Sequence, residues 1–325
     1  LIVNNNSLCS PCAGSPASTP AYISLYAAAA AVVLLTVCGN LLVVASVCHF
    51  KQLHTPTNVL ILSLAFSDLL VGLFVMPLQF TWLIESCWIF GQSVCLFYSF
   101  ASFHLSIYNV SLIALDRYIA LSNPFFYSSK ASANMIFTTT VLIWVVSVFY
   151  NFALLYVNGN FTDFKVCDGV CLPALGPVSG IFDLTVVFIL PCAIMMVLYV
   201  KIFAIARRHA IAIRANIKEI RRSDLKNNAS MRSERKAAKA LGILVAVFLF
   251  CLVPYYTCSI INGFVSKLLD TLIIATLTLF YLNSTFNPVI YAFFHPSFRK
   301  SMILILTCRI LSKDSSTMNV LLKAN

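Results

Sequence analysis

The sequence predicts an all-α membrane protein: a seven-transmembrane helix bundle with a short amphipathic helix after helix seven. Three observations predict it. Of 325 residues, 60% are hydrophobic and only 10% charged, against about 25% charged in a soluble domain; the mean hydropathy is +0.90. The apolar residues fall into seven long segments. The basic residues gather on one side of those segments. A chain with so few polar groups cannot cover its surface with them, so that surface faces lipid.

The segments run in order. Residues 22–48 carry no charge, 57–84 only Asp68, and 92–115 none. Residues 131–162 carry none, 169–200 only Asp183, and 240–266 and 271–294 none. Each is long enough to cross the roughly 30 Å hydrocarbon core as a helix. Lipid satisfies no backbone N–H or C=O, which excludes open sheets, and period-two alternation is absent, which argues against a barrel. Residues 1–21 form an N-terminal segment, 22–294 the transmembrane domain, and 295–325 a terminal helix and tail.

Of the 22 Lys and Arg, all but Lys165 and Lys267 fall on the side opposite the N-terminus. The positive-inside rule then places the N-terminus outside and the C-terminus in the cytosol of a plasma-membrane protein. The net charge of +11 is no nucleic-acid footprint, because the basic loop lies between two spanning helices. The first twenty residues are polar and lack the apolar region of a cleavable signal, so helix one is expected to direct its own insertion.

Cys9, Cys12, Cys87, Cys95, Cys167 and Cys171 fall in the outer segments, where an oxidising exterior permits disulfides. Cys308 follows an amphipathic stretch and is a palmitoylation candidate or a free thiol. Asn5 and Asn160 head outward glycosylation sequons. Asn109 and Asn283 head the same motif inside the membrane, and Asn228 heads it in the cytosol.

Polar residues inside apolar spans are costly, so each calls for an explanation. They appear as Gly39-Asn40, Ser63 through Asp68, Asp116-Arg117-Tyr118, Trp144, Pro191, Cys251-Leu252-Val253-Pro254 and Asn287-Pro288-Val289-Ile290-Tyr291, followed by a short helix over 296–306. Asp68 requires protonation or a cation. Arg117 beside Asp116 is either a switch or a solvated surface pair. In this order within seven spans, the motifs resemble rhodopsin-like G-protein-coupled receptors over about residues 20–307. The resemblance implies a sodium ion at Asp68 with Ser106, Asn283 and Asn287, oxygen ligands suited to a hard cation. It implies a resting Arg117–Glu234 bridge, active-state roles for Tyr199 and Tyr291, and bending at Pro191, Pro254 and Pro288. The family's tryptophan two residues before the helix-six proline is Leu252 here. The aromatic step of activation therefore falls on Phe248 or Tyr255, or is altered.

Three strings narrow the resemblance to trace amine-associated receptors: Glu85 to Gly91, Ser233 to Ile243, and Asn283 to Phe294. His295 and Ser297 depart from that family's fingerprint. The resemblance implies a Cys95–Cys171 disulfide and a second from Cys167 to Cys9 or Cys12. Amine receptors carry an aspartate in helix three; here Ser99 or Ser102 takes its place, and 92–115 holds no carboxylate. Asp183, eight residues before Pro191, matches a fish clade with the amine-binding aspartate in helix five. His104 is the alternative partner for Asp183, and Phe103, Tyr255, Tyr256, Phe280 and Tyr281 are candidates for aromatic walls. The expected function is an olfactory-type receptor for small amines acting through a stimulatory heterotrimeric G protein and cAMP. The competing reading is a receptor for a non-amine ligand in which Asp183 is structural. No nucleophile or metal-ligand spacing suggests an enzyme, no internal repeat suggests a transporter, and no cofactor is expected beyond a structural sodium ion.

Overall fold

The computed structural model describes residues 19–101, 105–123, 125, 127, 129, 132–159, 171, 175–216, 224–262, 268–294, 296–311, 316, 318 and 320. At 105, 206, 209–216, 224–241, 262, 268–271, 294, 296 and 311 it describes the backbone alone. Among the described residues the regular structure is helical, with no β-strand. Helix α1 spans Thr19–His49 and α2 spans Pro56–Glu85. Helix α3 comprises Gly91–Ala101 and Leu105–Ser122, and α4 is Ala133–Val157. Helix α5 runs through Pro177–Asp183, Leu184–Ile189 and Leu190–Asn216. Helices α6, α7 and α8 are Asp224–Asn262, Leu268–Phe294 and Pro296–Leu306.

Seven of these are long and apolar enough to cross a membrane. Their ends carry familiar signals. Thr55 precedes Pro56, and its hydroxyl accepts the N–H of Asn58 at 3.3 Å; Ser132 caps α4 by accepting from Met135 at 3.1 Å. Both satisfy donors that a helix start leaves unpaired, and a proline in the first turn lacks the N–H that would need one. Helix α4 ends at Asn158–Gly159, where Gly159 adopts φ +70°. The apolar composition beyond it predicted a longer span, but a left-handed residue stops the helix there. Helix α6 instead extends well before residue 240, because its charged approach is rich in good helix formers.

Helices α2 and α5 each contain one wide turn, at Val71–Val75 and Leu184–Ile189. The Leu190 N–H reaches Thr185 O, five residues back. Such a turn inserts a residue and rotates the flanking segments relative to each other. In α5 it follows Asp183 directly.

Helix α3 packs against α2, α4, α5 and α6, and α7 packs against α1, α2 and α6. The larger apolar core includes Val43, Leu64, Ile113, Leu244, Phe248 and Phe298; a second cluster, nearer the N-terminal side, holds Trp82, Trp88, Tyr98 and Tyr281. Leu142, Val146 and Phe149 of α4 are exposed, as a lipid-facing surface should be. Lipid tails are as apolar as leucine, so packing and cross-helix hydrogen bonds hold the helices together. Close approach matters most at Gly39, where an added Cβ would lie 2.9 Å from Pro288 Cγ of α7. Gly39→Ala should therefore destabilise the bundle by about 1–3 kcal/mol, as overpacking does. The thermal midpoint of the detergent-solubilised protein reads this; an unchanged midpoint would show that α1 and α7 yield freely.

Candidate functional site

Three carboxylates organise three levels of the bundle. At the middle level, Asp68 of α2 is fully buried. Ser106 of α3 donates to Oδ1 at 3.1 Å, Ser284 of α7 donates to Oδ1 at 2.8 Å, and Asn287 Nδ2 donates to Oδ2 at 2.6 Å. Ser106 and Asn287 are where the sequence placed them. Asn283 makes none of these bonds; Ser284, three residues before Asn287 and on the same helix face, takes the place expected of it. The side-chain oxygens of Asn283 and Asn287 are buried with no hydrogen-bond partner, as is the Tyr291 hydroxyl. A carboxylate with oxygen acceptors left open around it fits a hard cation, which takes oxygen ligands. No cluster of three or more His, Cys, Asp or Glu exists among the described residues, so a transition-metal site is not indicated there.

Around this level, side chains join the helices. Asn40 Nδ2 donates to Thr36 O at 2.9 Å and to Ser284 O at 3.0 Å, tying α1 to α7. Trp144 of α4 donates to Ser63 at 2.9 Å, and Ser63 donates to Asn109 of α3 at 2.9 Å.

Toward the N-terminal side, Asp183 of α5 accepts a hydrogen bond from the Tyr150 hydroxyl of α4 at 2.9 Å. Tyr108 of α3 donates to Val186 O in the wide turn of α5 at 3.5 Å. Tyr256 stacks on Phe188 at 3.9 Å and 15°. Tyr255 meets Phe280 edge-on at 5.7 Å, and Phe280 meets Tyr281 at 5.3 Å. The expected aromatic residues of α6 and α7 thus form one continuous cluster. Ser99 is buried on α3, and its hydroxyl has no partner; the buried Tyr256 hydroxyl has none either. Ser102, Phe103 and His104 lie outside the described residues, so the alternative His104 pairing does too. Sequence reasoning missed Tyr150, whose contact crosses between helices and leaves no local spacing signal.

At the opposite end, Arg117 pairs with Asp116 at 2.7 Å. Asp116 also accepts from Thr57 at 2.8 Å and from Tyr127 at 2.7 Å. Arg117 contacts the Thr57 hydroxyl as well and lies 5.9 Å from the Tyr127 ring centroid. Asp116 is only 3% exposed, so this is a held pair and not a solvated one. Burial pushes the Tyr127 phenol above its usual range, which keeps it protonated and donating. Thr57 and Tyr127 were not legible as members of this group. Glu234 belongs to α6, but its side chain lies outside the described residues, as does any bridge to Arg117. Lys201 of α5 sits over the Tyr118 ring at 5.5 Å. Tyr199 packs against the main core, Tyr291 is tilted on Phe298 at 5.8 Å, and Phe248 and Leu252 are buried beneath Pro254.

Cys95 and Cys171 form the expected disulfide. Cys87 is disulfide-bonded too; the other described cysteines are free, so its partner lies outside the described residues. Cys9, Cys12, Cys167, Asn5 and Asn160 lie outside them as well. Cys308, just past α8, is exposed at φ +55°.

Seven membrane-length helices, a buried carboxylate on α2 bonded from α3 and α7, and an Asp-Arg pair ending α3 define a seven-helix receptor. A family model described as 7 transmembrane receptor (rhodopsin family) matches residues 39–291. Trace amine-associated receptor 7c of Rattus norvegicus is 41% identical over 320 residues, covering 95% of this chain and 89% of that protein. Trace amine-associated receptor 7a of Mus musculus is 41% identical over the same coverage. Trace amine-associated receptor 1 of Macaca mulatta is 37% identical over 314 residues, 93% of each chain. The chain belongs to the rhodopsin family of seven-transmembrane receptors and, within it, to the trace amine-associated receptors. It is a multi-pass membrane receptor and not an enzyme.

Proposed function

We propose that this receptor is of the olfactory type, detects small amines, and signals through a stimulatory heterotrimeric G protein to raise cAMP. The observation that carries the reading is Asp183: a carboxylate in the N-terminal-side half of the bundle, bonded by Tyr150 of α4 on a helix that also meets Tyr108 of α3 and Tyr256 of α6. Among the described residues no Lys, Arg or His pairs with it, because the one ion pair there is Asp116–Arg117. Asp183 would hold the ammonium, and Tyr255, Tyr256, Phe280 and Tyr281 would supply faces that attract a cation. Ser99 would offer a hydroxyl where other amine receptors have their aspartate, and Ser102, Phe103 and His104 are further candidates to contact the ligand. The names of the relatives support an amine ligand.

The basic residues put the N-terminus outside the plasma membrane and the tail in the cytosol. That topology gives the Cys95–Cys171 bridge, a Cys167 bridge to Cys9 or Cys12, and glycans at Asn5 and Asn160 an extracellular setting. Palmitate on Cys308 would anchor the end of α8 to the inner leaflet. A sodium ion held by Asp68 with Ser106, Asn283, Ser284 and Asn287 would neutralise the buried charge; the open oxygens of Asn283 and Asn287 support it. The resting state would keep α6 near α3 through Arg117 and Glu234. Release would move α6 about Pro254 and admit the G protein, with Tyr199 and Tyr291 bracing the opened form.

Three measurements test these assignments. In cells with matched surface expression, Asp183→Asn should abolish the cAMP response to a panel of small amines, since a lost buried charge pair costs about 2–5 kcal/mol. A full response would instead give Asp183 a structural role and put the amine pocket elsewhere. Glu234→Ala should raise basal cAMP without ligand; unchanged basal signalling would remove the lock. Replacing potassium by sodium chloride should raise the thermal midpoint of the purified receptor but not of Asp68→Asn. Equal midpoints in the two salts for the unaltered chain would sink the sodium site.

A further inference from the structure

We infer that Tyr150 is a positioning residue of the amine site: its hydroxyl fixes the Asp183 carboxylate by one oxygen and leaves the other turned over to the ligand. The inference rests on the reading of Asp183 as the ammonium's partner.

The geometry argues it from several sides. Tyr150 donates to Oδ1 of Asp183 at 2.9 Å. Among the described residues, no hydrogen bond reaches Oδ2. A carboxylate accepts through both oxygens, so half of its capacity stays open. The donor is a phenol, which is neutral. A lysine or arginine in that place would cancel the charge the ligand needs, whereas a hydroxyl orients the carboxylate and leaves its charge intact. Hydrogen bonds to an ionised acceptor are also shorter and stronger than neutral ones, so one donor is enough to hold the group.

Tyr150 is itself held. Its ring packs on Phe182, the neighbour of Asp183 in sequence, with centroids 6.4 Å apart and 39° between planes. On the other flank, Tyr108 donates to Val186 O, a carbonyl within the wide turn that follows Asp183. Such a turn leaves carbonyls poorly matched to the regular helix ladder, and Tyr108 supplies a donor to one of them. One tyrosine thus fixes the backbone beside Asp183, and the other fixes the side chain. A charged group fixed before the ligand arrives loses less freedom on binding, and this raises affinity.

Tyr150→Phe removes the hydroxyl and keeps the ring against Phe182. The experiment compares the unaltered receptor, Tyr150→Phe and Asp183→Asn at matched surface expression. The probes are butylamine, N-methylpiperidine and 2-phenylethylamine, with cAMP as the readout. Tyr150→Phe should lower potency by roughly ten-fold or more, the scale of one hydrogen bond to a charged group. Its maximal response should remain that of the unaltered receptor, because saturating amine overcomes a looser carboxylate. A purely structural tyrosine would instead lower the maximum while leaving potency unchanged, and that result overturns the inference. Unchanged potency overturns it too, and a gain in potency would mean that Tyr150 competes with the amine. The two levels of the argument separate cleanly. A silent Asp183→Asn with an unaffected Tyr150→Phe defeats the positioning role alone. A fully responsive Asp183→Asn, or an unaltered receptor silent to every probe, defeats the amine site and the positioning role with it.

Discussion

Lipid offers no hydrogen-bond partner, so a polar side chain inside this bundle turns back on its own helix or reaches another one. That constraint arranges most of the structure. Asn40 reaches from α1 to the backbone of Ser284 on α7. Thr36 shares a hydrogen bond with Thr285 at 2.6 Å. Trp144, Ser63 and Asn109 string α4, α2 and α3 together. Nearer the N-terminal side, Gln79 of α2 donates to Thr278 of α7 at 3.0 Å and accepts from Tyr98 of α3 at 2.6 Å. Each such bond averages only about 0.6 kcal/mol in membranes. Their force lies in direction: each fixes which helix faces which, and at what depth, where apolar packing alone would tolerate slippage.

The three carboxylates show how donor number separates their roles. Asp68 accepts from three side chains on two helices and is sealed from the surface. Asp116 accepts from Arg117, Thr57 and Tyr127, one of them a full countercharge. Among the described residues Asp183 accepts from Tyr150 alone. A charge at mid-membrane costs about 2.5–3.5 kcal/mol on insertion scales, so the least satisfied of the three is the one with most to gain from an incoming cation. Asp68 is different in kind. It has donors in plenty but no positive charge, while oxygens of Asn283 and Asn287 remain unbonded. Small donors can orient a carboxylate, but only a cation or a proton removes its charge.

The spans were legible because length and hydropathy alone mark a membrane helix, and α8 was legible to the residue because Pro296 opens it. Helix ends were less so. Apolar composition continues past Val157, yet Gly159 at positive φ closes α4; charged residues precede 240, yet α6 runs through them. The site divides in the same way. Asp68, Asp183, Arg117 and the α6–α7 aromatics were readable, since a charge or a ring cluster in an apolar span stands out. Ser284, Tyr150, Thr57 and Tyr127 were not. Serine, threonine and tyrosine are ordinary in spanning helices, and only the crossing of two helices makes any one of them a partner. Cys87 is a related case: the resemblance implied the Cys95–Cys171 pair, but nothing in the sequence marked Cys87 as bonded.

Leu252 poses the remaining problem in α6. It stands between Phe248, four residues before it, and Tyr256, four after, and that spacing puts all three on one helical face. All three are buried. The rings are therefore one turn below and one turn above the leucine, and the ring nearest the helix-five wide turn is Tyr256, stacked on Phe188 of that turn. Pro254 lies between Leu252 and Tyr256 and removes one backbone hydrogen bond. Tyr256 thus belongs to the half of α6 beyond the proline, while Phe248 is packed in the half that precedes it. An aliphatic residue at 252 leaves these two aromatic contacts one helical turn to either side of it.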